Sequence, residues 1–200
     1  MSALHGSGID AGAYRWVVRA AQHTPGPVDH AVRLFSDYGI GLFAALMLLA
    51  WWRARSADGR TMAGALATPL VVVAAFLAND VVKSVFTEVR PCRALHVTGT
   101  VEACPGATDW SFPSNHAAIA AAAAVALLLA DRRLGQIAVP LALLLGASRV
   151  WIGVHYPHDV LAGLAVGALA AWLLGLAARR AAPVVDRLRS GPLRPVLAAP

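Results

Sequence analysis

Five apolar runs, separated by short connections that hold most of the arginines, constrain this chain more than any other feature. They fall at about 34–52, 62–82, 117–130, 137–154 and 160–178. A helix needs about 20 mainly apolar residues to cross a hydrocarbon core. With 58% hydrophobic and 14% charged residues in 200, an ordinary soluble domain is excluded. The expected fold class is all-α, a polytopic transmembrane helical bundle of about five membrane spans. No Ser/Gly/Pro-rich linker divides the chain, so 1–200 reads as a single membrane-embedded domain.

The flanks have their own character. In the N-terminal segment, 1–30, Tyr14, Trp16, Val17, Val18 and Ala21 alternate with Arg15 and Arg19. That pattern suits an amphipathic interfacial helix, with a polar tail as the plainer reading. The segment lacks the apolar core of a signal peptide, so insertion is expected to rely on the spans themselves. Residues 181–200 form a basic tail, expected in the cytoplasm.

Charge sets the orientation. The formal net charge of +6 comes almost wholly from arginine, Lys83 being the single lysine. These cations sit in loops between spans, which makes topology a simpler account than nucleic-acid binding. Ten of them, from Arg53 to Arg60, at Arg132 and Arg133, and from Arg179 to Arg194, share one side; seven lie on the other. Trp51 and Trp52 followed by Arg53 and Arg55 mark the cytoplasmic interface. The N-terminus and the 84–114 connection are therefore expected outside the cytoplasm.

Polar residues cluster at the outer ends of the runs, where a charge without a task is expensive. One cluster is Lys83-x6-Arg90-Pro91, a second is Pro113-Ser114-Asn115-His116, and a third is Ser148-Arg149-x5-His155-x3-Asp159. Arginine grips two oxygens in a planar fork, lysine adds a point charge, and N–H groups at a helix start favour an anion. One imidazole can attack phosphorus while another protonates the leaving oxygen.

Together the three clusters resemble the signature of the type 2 phosphatidic acid phosphatase (PAP2) superfamily, which is shared with vanadium haloperoxidases. The resemblance implies a PAP2/haloperoxidase-like helical core and a membrane lipid phosphatase. It implies His155 as nucleophile, His116 as acid and Asp159 as the carboxylate that orients His155. Lys83, Arg90, Ser114, Asn115 and Arg149 would bind the substrate phosphate. The family's usual glycine at the third position of the middle motif is Asn115 here, which keeps the N–H but alters how closely backbone can approach phosphate.

No metal and no cofactor is expected, because carboxylates near the site look too few for a two-metal cluster. The favoured substrate is a polyprenyl diphosphate such as undecaprenyl diphosphate, cleaved through a phosphohistidine. Phosphatidate and phosphatidylglycerophosphate are alternatives. A vanadate-dependent peroxidase and a non-catalytic lipid-phosphate binder or transporter are the rivals from other classes. Expected partners are the lipid phosphate substrate and membrane lipids, with no nucleic acid; the sequence sets no oligomeric state. The expected location is the bacterial cytoplasmic (inner) membrane, multi-pass, with the site facing the extracytoplasmic side.

Smaller features follow. Cys92 and Cys104 share the 84–114 connection, where an oxidising compartment would favour a disulfide. Asp80 stands three before Lys83 and could orient it, and Asn79 could hydrogen-bond a neighbouring span. His158 reads as an interfacial bystander. Gly163 and Gly167, with Ala170 and Ala171 beyond, give the fifth run a small-residue face, as the alanine-rich stretch 117–124 does the third, and both read as close helix packing.

Overall fold

The computed structural model describes residues 2–4 and 6–199. Its principal helices are α1 (Ala11–Gln22), α2 (Gly26–Tyr38), α3 (Ile40–Ala54), α4 (Gly59–Val85), α5 (Pro91–Ala94), α6 (Asn115–Ala130), α7 (Arg132–Trp151), α8 (Pro157–Ala178), α9 (Ala182–Arg189) and α10 (Arg194–Leu197). Two three-residue strands, β1 (Ser2–Leu4) and β2 (Phe86–Glu88), pair in parallel with Ser2 opposite Phe86.

Among the described residues, α4, α7 and the run from α8 through α9 are long and apolar enough to cross a membrane. The pair α2 and α3 qualifies as one further span, bent by 50°. The run expected over 34–52 is interrupted, with a break at Gly39 inside it. Leu145 packs where a side chain at Gly39 would stand. On the N-terminal side of the break, α2 carries Asp29, His30, Arg33, Ser36 and Asp37, too polar to continue an apolar rod.

Helix ends follow their caps. The Asp58 carboxylate accepts from Thr61 N at 2.7 Å and starts α4. Asp131 does the same for α7, accepting from Arg133 N at 3.0 Å and Leu134 N at 3.2 Å. The connection between α6 and α7 is thus the single residue Asp131. Pro157, with φ suited to a first helical position, opens α8.

α6 is the axis. Ala117, Ala118, Ala120 to Ala124 and Ala126 are all buried, and a helix apolar on every side belongs inside a bundle. α4, α7 and α8 surround it. Small side chains let the backbones close: a Cβ on Gly167 would overlap the Ala118 backbone, and one on Gly163 would overlap the Ser114 carbonyl. Gly167→Leu is expected to cost about 3 kcal/mol of stability, read as a lowered unfolding temperature in detergent. An unchanged temperature would mean that α6 and α8 are not in contact.

The tail is folded onto the bundle rather than loose. Val185 and Leu197 join Ala54, Met62, Ala63 and Ala65 in a core cluster. Arg189 ties them, donating to Leu197 O at 2.9 Å and Ala54 O at 3.1 Å. The N-terminal helix also packs inward, burying Tyr14, Val18 and Ala21 on one face while Trp16 stays exposed.

Candidate active site

The ends of α4, α6, α7 and α8 carry the three sequence clusters to one place, and the turn after α7 delivers its centre. Gly153 has φ of 91°, a left-handed conformation that a side chain would strain, and Thr100 fills the space where its Cβ would be. The chain reverses there and presents His155, which is almost fully buried.

The two ring nitrogens of His155 face different groups. Nδ1 lies 3.2 Å from Asp159 Oδ2, and Nε2 lies 3.0 Å from Arg90 Nη1. A guanidinium only donates and a carboxylate accepts, so Nδ1 carries the proton and Nε2 holds the lone pair. Asp159 Oδ2 also accepts from Tyr156 N at 2.7 Å and from the Ser111 hydroxyl. Burial pushes the His155 imidazole well below its ordinary pKa of 6.5, helped by Arg90, Arg149, Lys83 and His116. Neutral imidazole is the form a nucleophile needs.

Cations surround this ring, each held by oxygen partners. Arg90, at the cap of α5, donates to Val154 O at 3.0 Å, Asp109 O at 3.0 Å and Asp109 Oδ1 at 2.9 Å. Lys83 donates to Trp110 O at 2.8 Å from the last turn of α4. Arg149, near the end of α7, donates to Ser36 Oγ at 2.9 Å, with Glu102 and Asp37 each 3.9 Å away. Ser114 Oγ is buried without a partner, although its backbone N–H bonds Asp159 O at 3.0 Å and joins α6 to α8. Beside Lys83 and Asn115 is an opening of about 520 Å³ that also touches Asp80, Asp109 and Trp110.

The structure thus gathers Lys83, Arg90, Ser114, Arg149, His155 and Asp159, and His116 stands in the first turn of α6, two residues after Ser114. Asn115 is different: its Oδ1 accepts from Asn79 Nδ2 at 2.6 Å, so the side chain clamps α6 to α4. Ser148, which belongs to the third cluster, spends its hydroxyl on Leu145 O at 2.7 Å. Cys92 and Cys104 are joined in a disulfide that secures α5 to the loop before Asp109.

Several partners were not legible in the sequence: Ser111, Asp109 and Glu102 from the 84–114 connection, and Ser36 from α2. The serine in Trp110-Ser111-Phe112-Pro113 was the one with a signal, since it lies inside the stretch that leads into α6. His158 is no bystander. Its Nδ1 bonds Asp10 Oδ1 at 2.8 Å and its Nε2 faces Glu88 Oε2 at 3.1 Å.

The expectation of few carboxylates is also corrected, because Glu88 lies within the Lys83-x6-Arg90 cluster and Asp10 arrives from the N-terminal segment. Glu88, His158 and Asp159 bring ligand-type atoms within 4.8 Å of one another, the one such group among the described residues. His158 Nε2 lies 3.2 Å from Glu88 Oε1 and 3.1 Å from Oε2, hydrogen-bond distance for a ring N–H donating to the carboxylate.

An imidazole held by a carboxylate and ringed by cations, at the end of an apolar helical bundle, is an arrangement suited to the chemistry of membrane phosphatases. Comparison with known proteins agrees. Residues 64–181 match the PAP2 superfamily model. Undecaprenyl-diphosphatase BcrC of Bacillus subtilis strain 168 is 32% identical over 169 residues, covering 84% of each chain. Lipid A 1-phosphatase of Rhizobium johnstonii is 34% identical, covering 74% of this chain and 67% of that protein. The crystal structure of a transmembrane PAP2-type phosphatidylglycerolphosphate phosphatase from Bacillus subtilis superposes with a TM-score of 0.58 at 22% identity, over 83% of this chain and 84% of that one. This chain belongs to the PAP2 superfamily.

Proposed function

We propose that this chain is an integral membrane phosphatase that hydrolyses a polyprenyl diphosphate through a phosphohistidine on His155. The carrying observation is the fixed tautomer of His155, with Nδ1 on Asp159 and the Nε2 lone pair on the side of the cations. A phosphate entering the cradle takes over the Arg90 donor and frees Nε2. Lys83, Arg90, Arg149 and Ser114, with the Asn115 N–H at the helix start, receive the charge that spreads over the phosphoryl oxygens.

Nε2 attacks phosphorus, the bond to the leaving oxygen breaks, and His116 gives that oxygen its proton. Water then attacks the phosphohistidine, passing a proton to His116, and orthophosphate leaves as the N–P bond breaks. Asp159 keeps Nδ1 protonated and balances the positive charge that develops on the ring. No step draws on a metal.

The diphosphate reading is supported by the BcrC relative, which spans most of both chains. An apolar groove of about 470 Å³ between α2 and α7, lined by Val28, Val32, Phe35 and Leu144 and reaching Ser148, suits a lipid chain beside Arg149. The lipid A 1-phosphatase relative favours a second reading, a lipid phosphomonoester; phosphatidate and phosphatidylglycerophosphate fall within it.

The whole chain is one domain in this reading. α2 with α3, then α4, α6, α7 and α8, make five spans in the cytoplasmic membrane, and α1 lies at the outer interface. The site faces outward, in keeping with the arginine bias and with a disulfide that needs an oxidising side; the tail lies in the cytoplasm.

Orthophosphate release by purified protein across polyprenyl diphosphates, phosphatidate and phosphatidylglycerophosphate tests the assignment. The highest kcat/KM is expected for a polyprenyl diphosphate, undiminished in excess chelator. A preference for a glycerol lipid assigns the second reading, and loss in chelator reversed by magnesium removes the metal-free mechanism.

A further inference from the structure

Residues 2–14 lie outside the segment matched by the family, 64–181, yet they meet the loop that bears His155 at several points. β1 runs beside β2, which brings the chain to Glu88. Asp10, at the cap of α1, then accepts twice from His158: from its backbone N at 2.8 Å and from its ring Nδ1 at 2.8 Å. Tyr14, fully buried, donates its hydroxyl to Gly153 O at 2.9 Å, and its ring stands 5.6 Å from that of Tyr156.

His158 links these contacts to the catalytic pair. Carboxylates face it from three elements: Asp10 from the α1 cap, Glu88 from β2 and Asp159 from its own helix. With a carboxylate against each ring nitrogen, the ring donates from both and is an imidazolium. Tyr156 stacks on it at 5.2 Å. Its Nε2 lies 3.6 Å from Asp159 Oδ1, a buried oxygen with no hydrogen bond of its own. The cation therefore faces Asp159 through Oδ1, the oxygen that His155 does not use.

We propose that the N-terminal segment is part of the catalytic apparatus, with Asp10 and Tyr14 as positioning residues that lock 153–159 through His158 and the Gly153 carbonyl. This rests on His155 being the nucleophile. Among the described residues, no side-chain hydrogen bond joins Lys83, Arg90 or Arg149 to the segment, so weakening its hold on 153–159 is expected to lower the rate at which Nε2 is presented more than the grip on phosphate.

The test uses the full chain in detergent with farnesyl diphosphate as substrate. Asp10→Asn and Tyr14→Phe are each expected to lower kcat about tenfold, the worth of one charge-assisted or buried hydrogen bond, while KM stays within about twofold. Asp10→Glu, which keeps the carboxylate, is expected to recover most of the rate. Hydrogen exchange at the 152–156 amides is expected to quicken in Asp10→Asn and Tyr14→Phe, with 118–126 unchanged.

Unchanged kcat, a change confined to KM, a loss in Asp10→Glu equal to that in Asp10→Asn, or unchanged exchange in the loop each overturns the proposal. If wild type releases phosphate from no lipid, the phosphatase reading fails, and exchange alone decides whether the segment holds the loop. Should Tyr14→Phe not fold, Asp10→Asn carries the test, since it replaces a single oxygen.

Discussion

His155→Ala is expected to lower turnover by on the order of 10⁴-fold, because no covalent intermediate forms without Nε2. Binding of vanadate or orthophosphate should survive, since Lys83, Arg90, Arg149 and Ser114 remain in place. Asp159 also keeps Ser111 and Tyr156 N as partners, so the variant has reason to fold. His155→Gln retains more of the volume and serves as a second variant. Turnover within tenfold of wild type in both would remove His155 from the role of nucleophile.

The acid limb of kcat/KM should report the same residue. Burial and then Arg90 push the His155 imidazole well below 6.5, so its reactive neutral form persists into acid. After correction for the last ionisation of the substrate's terminal phosphate at about pH 6, the enzyme's own limb is expected below the ordinary histidine range. Stability takes the matching sign. The unfolded chain binds a proton near 6.5 that native His155 refuses, so this residue lowers stability as pH falls through that value. A limb at or above 6.5 would mean that His155 is hydrated or paired differently.

Arg90→Ala ranks next, with an expected loss of about 10²- to 10³-fold in kcat, the usual cost of removing one preorganised donor to a developing oxyanion. Arg90 does three things at once: it faces His155 Nε2, holds Val154 O beside that ring, and ties Asp109 to the site. Lysine supplies charge but not the planar fork, so Arg90→Lys should recover only part of the rate. Steady-state kinetics on both variants checks this. Full activity in Arg90→Lys would show that a point charge suffices.

What could be read from the chain alone was whatever is local along it. The apolar runs and their arginine-marked ends betray a helical bundle because the bilayer imposes a length and a polarity on each segment separately. Lys83, Arg90, Ser114, His116, Arg149, His155 and Asp159 were visible because each stands in a short motif at the end of a run. Local signals failed where polarity changes inside a run, as at Gly39, where an apparent single span divides into α2 and α3.

Only tertiary structure could show who holds those side chains. Ser111 reaches Asp159 across 48 positions, Ser36 reaches Arg149 across 113, and Asp10 reaches His158 across 148. No periodicity or spacing relates such residues. They become neighbours because β1 pairs with β2 and because α6, being almost all alanine, lets α4, α7 and α8 close around it. The sequence by itself determined that there would be membrane helices bearing cations, hydroxyls and imidazoles at their ends. Packing decided which carboxylate or hydroxyl meets each group, since a buried charge takes its partner from whatever the fold brings within hydrogen-bond reach.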